Sequence, residues 1–442
     1  MSEAIQRNLS RRNFALGLIN GALFILLATF IDVDTVVPGF AWQLTGGKTI
    51  LVGVLISVIN MGWFWPQLLL SSTFATADRL MPWYWLSALT RGVALFALAA
   101  VAWYLDAFAP WLGFVLIAAM YVLYSSGGGL SIIPFMSMVA DSIPPNWRGK
   151  FFGARYLVGG MMALVAGAWI RWLLSDQSGL EFPRNYAWMF LIGAIVATPS
   201  LLSWCFAREP ARPVQRRRVP VPVELRRGLR LLRRDSNFRR LLITRSLSTI
   251  TLGLTLPFIV PYALSQLRVP AAAVGLFVTS KIITYSLSNL LWSRVSDEGG
   301  NRRLLLLSGF MTIGALALVL SVRMLPTDHL VTIAGINVTW RVAFLCLIFA
   351  AFGFSNAGKE IVYTNFLLEL IPERKRSVYM GIFYAAISPL CWVPFFGSLA
   401  IGTGGRFVMG FSIAAVLALA MMRYTFRLRE VREFGGDGNG EN

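Results

Sequence analysis

The sequence predicts an all-α integral membrane protein, twelve transmembrane helices arranged as two pseudo-symmetric six-helix bundles. Three observations carry that prediction. Hydrophobic residues make up 56% of the 442 residues and charged residues only 14%, with a mean hydropathy of +0.64. Twelve apolar runs follow one another, each of about 20 residues or more, enough to cross the hydrocarbon core as a helix. Motifs in the first six runs also recur at matching places in the last six.

The composition excludes several classes outright. A soluble domain carries roughly 25% charged residues, and one this apolar would expose large adhesive patches. The net charge of +19 suggests nucleic acid until its distribution is read. Of the 40 Lys and Arg, 28 lie in the polar segments that share a side with both termini and 7 in those on the other side. That asymmetry orients a membrane protein with cytoplasmic termini, in the cell (inner) membrane, and leaves no basic face for nucleic acid. Cys205, Cys346 and Cys391 all sit in apolar runs, and His329 is the one histidine. Neither a disulfide framework nor a zinc site is expected, and no cofactor is implied. No nucleophile–base set or phosphate loop appears, so the chain does not read as an enzyme.

In chain order, the first bundle spans 1–206, with apolar runs near 14–37, 50–72, 82–105, 111–139, 152–174 and 187–206. The first run is too long for a signal peptide's apolar core and lacks a small-residue cleavage site, so it reads as an uncleaved span. Residues 207–239 form a basic linker opened by Pro210, Pro213, Pro220 and Pro222. Leu225, Leu229 and Leu232 then recur at helical spacing among arginines. This reads either as an amphipathic helix on anionic lipid or as a solvated linker. The second bundle spans 240–434, with runs near 240–266, 271–293, 302–324, 339–369, 378–402 and 406–426. The tail at 435–442 is rich in Gly, Asp and Asn and reads as disordered.

The two halves repeat. Ile143-Pro144, Arg148 and Gly153 reappear as Ile371-Pro372, Arg376 and Gly381, at an offset of 228. Asp141 matches Glu369, and Asp78 matches Asp297 at the loop after each half's second span. With these residues the chain resembles the major facilitator superfamily of secondary transporters over about 14–426. The family's G-x-x-x-D-R-x-G-R-[RK] loop is met in part by Asp297, Gly300 and Arg302. Ser293, Glu298 and Asn301 depart from it, and the first half keeps only Asp78-Arg79. The resemblance implies a conformational latch of Asp297, Arg302, Asp78, Arg79, Arg148 and Arg376, in which carboxylates meet helix N-termini and arginines. An arginine in the fourth span and a Gly-Pro pair in the fifth, usual in proton-driven drug exporters, are missing.

Ionisable groups inside a span cost about 2.5–3.5 kcal/mol each on insertion scales, so each marks a candidate site. Arg91, Arg155, Arg245, Lys281, Lys359 and Glu360 qualify. Lys281 lies mid-membrane, about 15 Å from the nearer end of its span at 1.5 Å per residue. The resemblance puts the eighth and tenth spans on a central cavity, where Lys281 would share space with Glu360. Lys359, Arg155, Tyr285, Asn289, Asn356, Tyr363, Tyr124 and Asn60 complete the expected cavity. Asp32 and Asp34 read as a cap of the first span or as vestibule residues. The expected function is alternating-access transport of a small organic solute, with proton coupling through Glu360 as an option. A surplus of buried cation favours a solute with an anionic group. The competing reading is a lipid flippase or membrane-complex assembly factor of the same fold, with no soluble substrate. The expected partners are the solute, protons and bilayer lipid, and the expected state is a monomer.

Overall fold

A computed structural model of the chain describes residues 3–209, 235–333, 336–370, 376–402 and 404–430. Within the first half lie α1 (Glu3–Phe30), α2 (Val36–Leu44), α3 (Thr49–Thr76), α4 (Met81–Trp103), α5 (Pro110–Ser142), α6 (Pro145–Leu173) and α7 (Arg184–Cys205). The second half holds α8 (Ser236–Ser265), α9 (Val274–Gly299), α10 (Asn301–Ser321), α11 (Trp340–Leu370), α12 (Arg376–Ile387), α13 (Val393–Ile401) and α14 (Phe407–Phe426). Among the described residues, twelve segments are long and apolar enough to cross a membrane, as the hydropathy runs require. Leu69, Leu89, Trp111, Val165 and Val416 stand exposed on the outside of the bundle. In water such a surface would be a liability; in lipid it is the solvated face.

Packing repeats with the sequence. In the first half α1 packs on α6 and α7, α4 on α5 and α7, and α3 on α5. In the second half α9 packs on α11, α10 on α11 and α14, and α8 on α14. The halves meet where α6 lies along α9 and α3 lies along α13. Small residues permit the close approaches. A Cβ on Gly129 would overlap the Trp63 carbonyl, so the Gly127–Gly129 run in α5 is where α3 and α4 come in.

Each half closes on itself at the face that carries the termini. Asn13, near the start of α1, clasps the backbone of Arg208 just beyond α7, accepting from its N–H at 3.1 Å and donating to its carbonyl at 2.9 Å. Asn237, at the start of α8, makes the same pair with Arg429 beyond α14, at 3.0 Å each way. The next residue is a glutamate both times. Glu209 accepts from Leu80 N–H (2.6 Å) and Met81 N–H (3.0 Å), capping α4. Glu430 accepts from Arg302 N–H at 2.7 Å, capping α10. A carboxylate there meets both the unpaired N–H groups and the positive end of the helix dipole.

Two features depart from the sequence reading. The first run does not form one helix over 14–37: α1 stops at Phe30, residues 31–35 are turn, and α2 resumes with Val36–Ala41 buried. The eleventh span is likewise interrupted, by a short 3₁₀ turn over Ser388–Trp392 between α12 and α13. An antiparallel hairpin, β1 (His329–Ile333) and β2 (Ile336–Thr339), fills a loop on the face away from the termini. Residues 210–234 of the linker, with the expected amphipathic helix, lie outside the described residues, as does the tail at 435–442.

Candidate transport cavity and inter-half ion triad

Lys281 is the charged residue of α9 that needs a partner at membrane depth. Its ammonium lies 2.6 Å from Asp32 Oδ2 and 2.6 Å from Asp34 Oδ2, and all three side chains are largely buried. This corrects the expectation that Glu360 would share its space. The acids come from the break between α1 and α2, which brings the backbone turn to the depth of Lys281. Asp32 Oδ1 also accepts from the Thr35 hydroxyl (2.8 Å) and Asp34 N–H (3.1 Å), so the turn is built around its carboxylate. Thr35 and Val37 N–H both donate to the Asp32 carbonyl. Irregular backbone at this depth survives only where protein covers it.

Glu360 stays exposed, and the Tyr285 hydroxyl donates to its carboxylate. The Tyr285 ring meets Tyr156 of α6 edge-on at 5.7 Å, so groups from both halves converge there. Asn289 lies one turn along α9 from Tyr285 and donates to its carbonyl at 2.7 Å. These residues form the candidate cavity.

Other expected cavity residues are engaged elsewhere. Lys359 is buried within the second half, donating to Thr312 Oγ1 at 2.5 Å between α10 and α11. Adjacent residues diverge by about 100° around a helix, so Glu360 and Lys359 face different neighbours. Arg155 turns into the first half, donating to the Gly17 carbonyl (3.0 Å) and Asn20 Oδ1 (3.3 Å), with Phe135 stacked at 4.6 Å. Tyr124 is buried, and its hydroxyl accepts from Arg91 at 3.1 Å. Arg245 lies 4.7 Å over the Tyr363 ring, inside the second half. Among the described residues, the buried side-chain oxygen of Asn356 meets no hydrogen-bond donor, and Asn60 is half-buried in α3.

The latch residues fall differently again. Arg302 donates from its guanidinium to the Phe426 carbonyl at 3.0 Å, beside its backbone bond to Glu430. Arg148 folds back onto the end of α5, donating to Ala140 and Ile143 carbonyls at 2.6 and 3.1 Å. Asp78 and Arg79 are exposed, while the side chains of Asp297 and Arg376 lie outside the described residues. Glu369 accepts from Asn301 at 2.8 Å. Sequence reasoning passed over Glu209 and Glu430. Their signal was present as a repeated Arg-Glu after each half's last span, opposite a repeated Asn-Phe at its first (Asn13-Phe14, Asn237-Phe238).

The face away from the termini is closed. Thr49 donates to the Gly402 carbonyl at 3.0 Å, Phe395 N–H donates to Ser57 Oγ at 3.0 Å, and Trp42 packs on Phe407 at 6.0 Å. Each of these crosses between the halves on that side. Glu360, between the halves and still exposed, therefore looks out towards the termini.

The family model described as MFS/sugar transport protein matches residues 68–388. The chain belongs to that family of the major facilitator superfamily, and is a multi-pass membrane transporter rather than an enzyme. No curated protein matches it in sequence. Among solved structures it is similar to a point mutant of the nucleoside transporter NupG, at 14% identity and a TM-score of 0.66, covering 96% of this chain and 100% of that one. A bacterial homologue of the iron transporter ferroportin, in its inward-facing state, gives 14% and 0.64, covering 97% and 99%. A D-xylose–proton symporter gives 15% and 0.63, covering 98% and 99%.

Proposed function

We propose that the protein moves a small polar organic solute by alternating access, with Glu360, Tyr285 and Tyr156 as its contact group. The observation that carries this reading is the exposed Glu360 carboxylate held by Tyr285 at the meeting point of the two halves. A carboxylate accepts hydrogen bonds, and two phenol rings offer flat apolar faces, so a solute with hydroxyl or amino groups fits. The anionic preference suggested by the sequence has lost its support. Lys281 is neutralised by two aspartates, while Arg155 and Lys359 are held by partners within their own halves. With the termini cytoplasmic, as the charge asymmetry favours, the conformation described is inward-open. Glu360 remains the proton-coupling candidate within the cavity.

Thermal stabilisation of the detergent-purified protein by sugars, nucleosides, amines and organic acids tests this directly. A hydroxylated or amine-bearing compound should raise the unfolding midpoint of wild type, and Glu360→Gln should weaken its binding by about 10- to 150-fold, as for loss of one charged hydrogen bond of about 1.5–3 kcal/mol. Stabilisation by organic acids alone, undiminished in Glu360→Gln, would overturn the assignment.

A further inference from the structure

We propose that Arg245 completes the Glu360 site by holding the anionic end of the solute, which is zwitterionic, an ammonium and an oxyanion in one small molecule. The inference names the solute class for the Glu360 contact group and rests on that reading.

The two charges reach one level from opposite directions. Arg245 is nine residues from the start of α8 at Ser236, and Glu360 is ten residues from the end of α11 at Leu370. At 1.5 Å per residue, both lie about 14–15 Å from helix ends on the face that carries the termini. Tyr363 joins them. Around α11 it falls between Glu360 and Lys359, about 60° from the first and 40° from the second. Glu360 and Tyr363, three residues apart, are surface neighbours with Cβ atoms about 5–6 Å from each other. Arg245 lies 4.7 Å over the Tyr363 ring and is half-buried. Guanidinium and carboxylate thus stand on either side of one tyrosine, yet they do not pair. Glu360 takes the Tyr285 hydroxyl, and Arg245 donates to no acceptor among the described residues. Arg155, by contrast, is tied to the Gly17 carbonyl and Asn20. Arg245 therefore keeps its N–H donors, set in a planar fork that matches a carboxylate or a phosphate.

An independent pointer comes from uncharged groups. Tyr363 and Ser248, the latter one turn along α8 from Arg245, each bury a hydroxyl that meets no partner among the described residues. Buried hydroxyls without partners are costly, and these two can donate to an oxyanion lying against Arg245. Lys359 is within electrostatic reach of Arg245 and, among the described residues, has no acid beside it. It makes that side of Tyr363 more positive still. Glu360, on the other side, repels a simple anion. The arrangement favours a solute that turns its ammonium to Glu360 and its oxyanion to Arg245.

Thermal unfolding of the detergent-purified, full-length protein reads this with defined probes: neutral α-, β- and γ-amino acids, their methyl esters and their N-acetyl forms. Glycerophosphoethanolamine forms a further arm, which tells a phosphate from a carboxylate. A zwitterion should raise the midpoint at concentrations about tenfold or more below those its ester or N-acetyl form needs, as each lacks one charged contact. Arg245→Gln should erase the advantage of zwitterion over ester and leave ester binding as in wild type. Glu360→Gln should erase the advantage over the N-acetyl form. An arginine that only braces the fold would weaken zwitterion and ester alike, and that result overturns the proposal. Equal responses to zwitterion and ester in wild type overturn it too, and leave the Glu360 reading standing. So does stabilisation by sugars or nucleosides with none by zwitterions. Silence from every probe, sugars and nucleosides included, overturns both.

Discussion

Lys281 and Lys359 are both lysines inside membrane helices, yet their surroundings differ in kind. Lys281 neutralises two carboxylates at 2.6 Å, while Lys359 meets a threonine hydroxyl and, among the described residues, no acid. Removing one member of a buried ion pair strands the other charge, at a cost of about 3–5 kcal/mol. Lys281→Met should therefore lower the thermal unfolding midpoint clearly. Lys359→Met removes a buried ammonium that has no counter-ion, and Thr312 keeps its bonds to Ser355 and the Ser308 carbonyl. Its midpoint should stay level or rise. Fluorescence-monitored melting of the two variants side by side checks both expectations, and equal losses would refute the distinction. The sequence made Lys281 conspicuous but could not name its partners. A charge buried mid-span demands a counter-charge, and Asp32 and Asp34 looked too close to a helix end. The break that lowers them to the depth of Lys281 leaves no sign in hydropathy, because Ile31 and Val33 keep the run apolar through it.

At the scale of elements, the duplicated clasp explains how six helices stay one unit while the halves move. Asn13 with Arg208, and Glu209 with the start of α4, tie the first, third and sixth spans together, and Asn237, Arg429 and Glu430 do so in the second half. Losing a helix cap costs about 0.5–2 kcal/mol. Glu209→Gln and Glu430→Gln should each lower the midpoint modestly, with nearly additive effects because the sites lie in separate halves. The α6–α9 seam makes a sharper element-level prediction. Gly153, Gly160 and Gly167 recur every seven residues and all face α9. A Cβ on Gly153 would meet Leu290 at an ordinary 3.6 Å, one on Gly160 would press on Ser286 at 2.7 Å, and one on Gly167 would overlap Thr279. Gly153→Ala should thus be tolerated and Gly167→Ala should reduce folded yield, as size-exclusion recovery would show. The number and order of spans were legible because each must satisfy a length and polarity rule set by the bilayer. The clasp was written in the sequence too, but as pairs of ordinary residues far apart, and only the folded chain brings Asn13 to Arg208.

Across the whole molecule, one set of contacts decides which face is open. Besides the α6–α9 seam, the first half meets the second at Thr49–Gly402, Ser57–Phe395 and Lys281 with Asp32 and Asp34, on the side away from the termini. Ser57 is fully buried there, whereas Thr364, one turn beyond Glu360 on α11, is exposed towards the opposite side. A two-state transporter whose resting energy difference is a few kcal/mol keeps the minor state at about 0.1–10%. Breaking the ion triad removes stabilisation from the closed face alone, and so moves that ratio without touching the cavity. A thiol probe then reads the whole-molecule state at two places. In a background with the native cysteines replaced, Thr364→Cys should react readily with a bulky water-soluble maleimide, and Ser57→Cys should resist it. Adding Asp32→Asn/Asp34→Asn should raise the labelling rate at Ser57→Cys, while Thr364→Cys labelling falls because the two faces cannot open together. If both positions quicken at once, the halves are loosening rather than rocking, and the triad is a structural brace. Opposite changes at the two positions require that the same rigid halves, pivoting along the α6–α9 seam, expose one face only by closing the other.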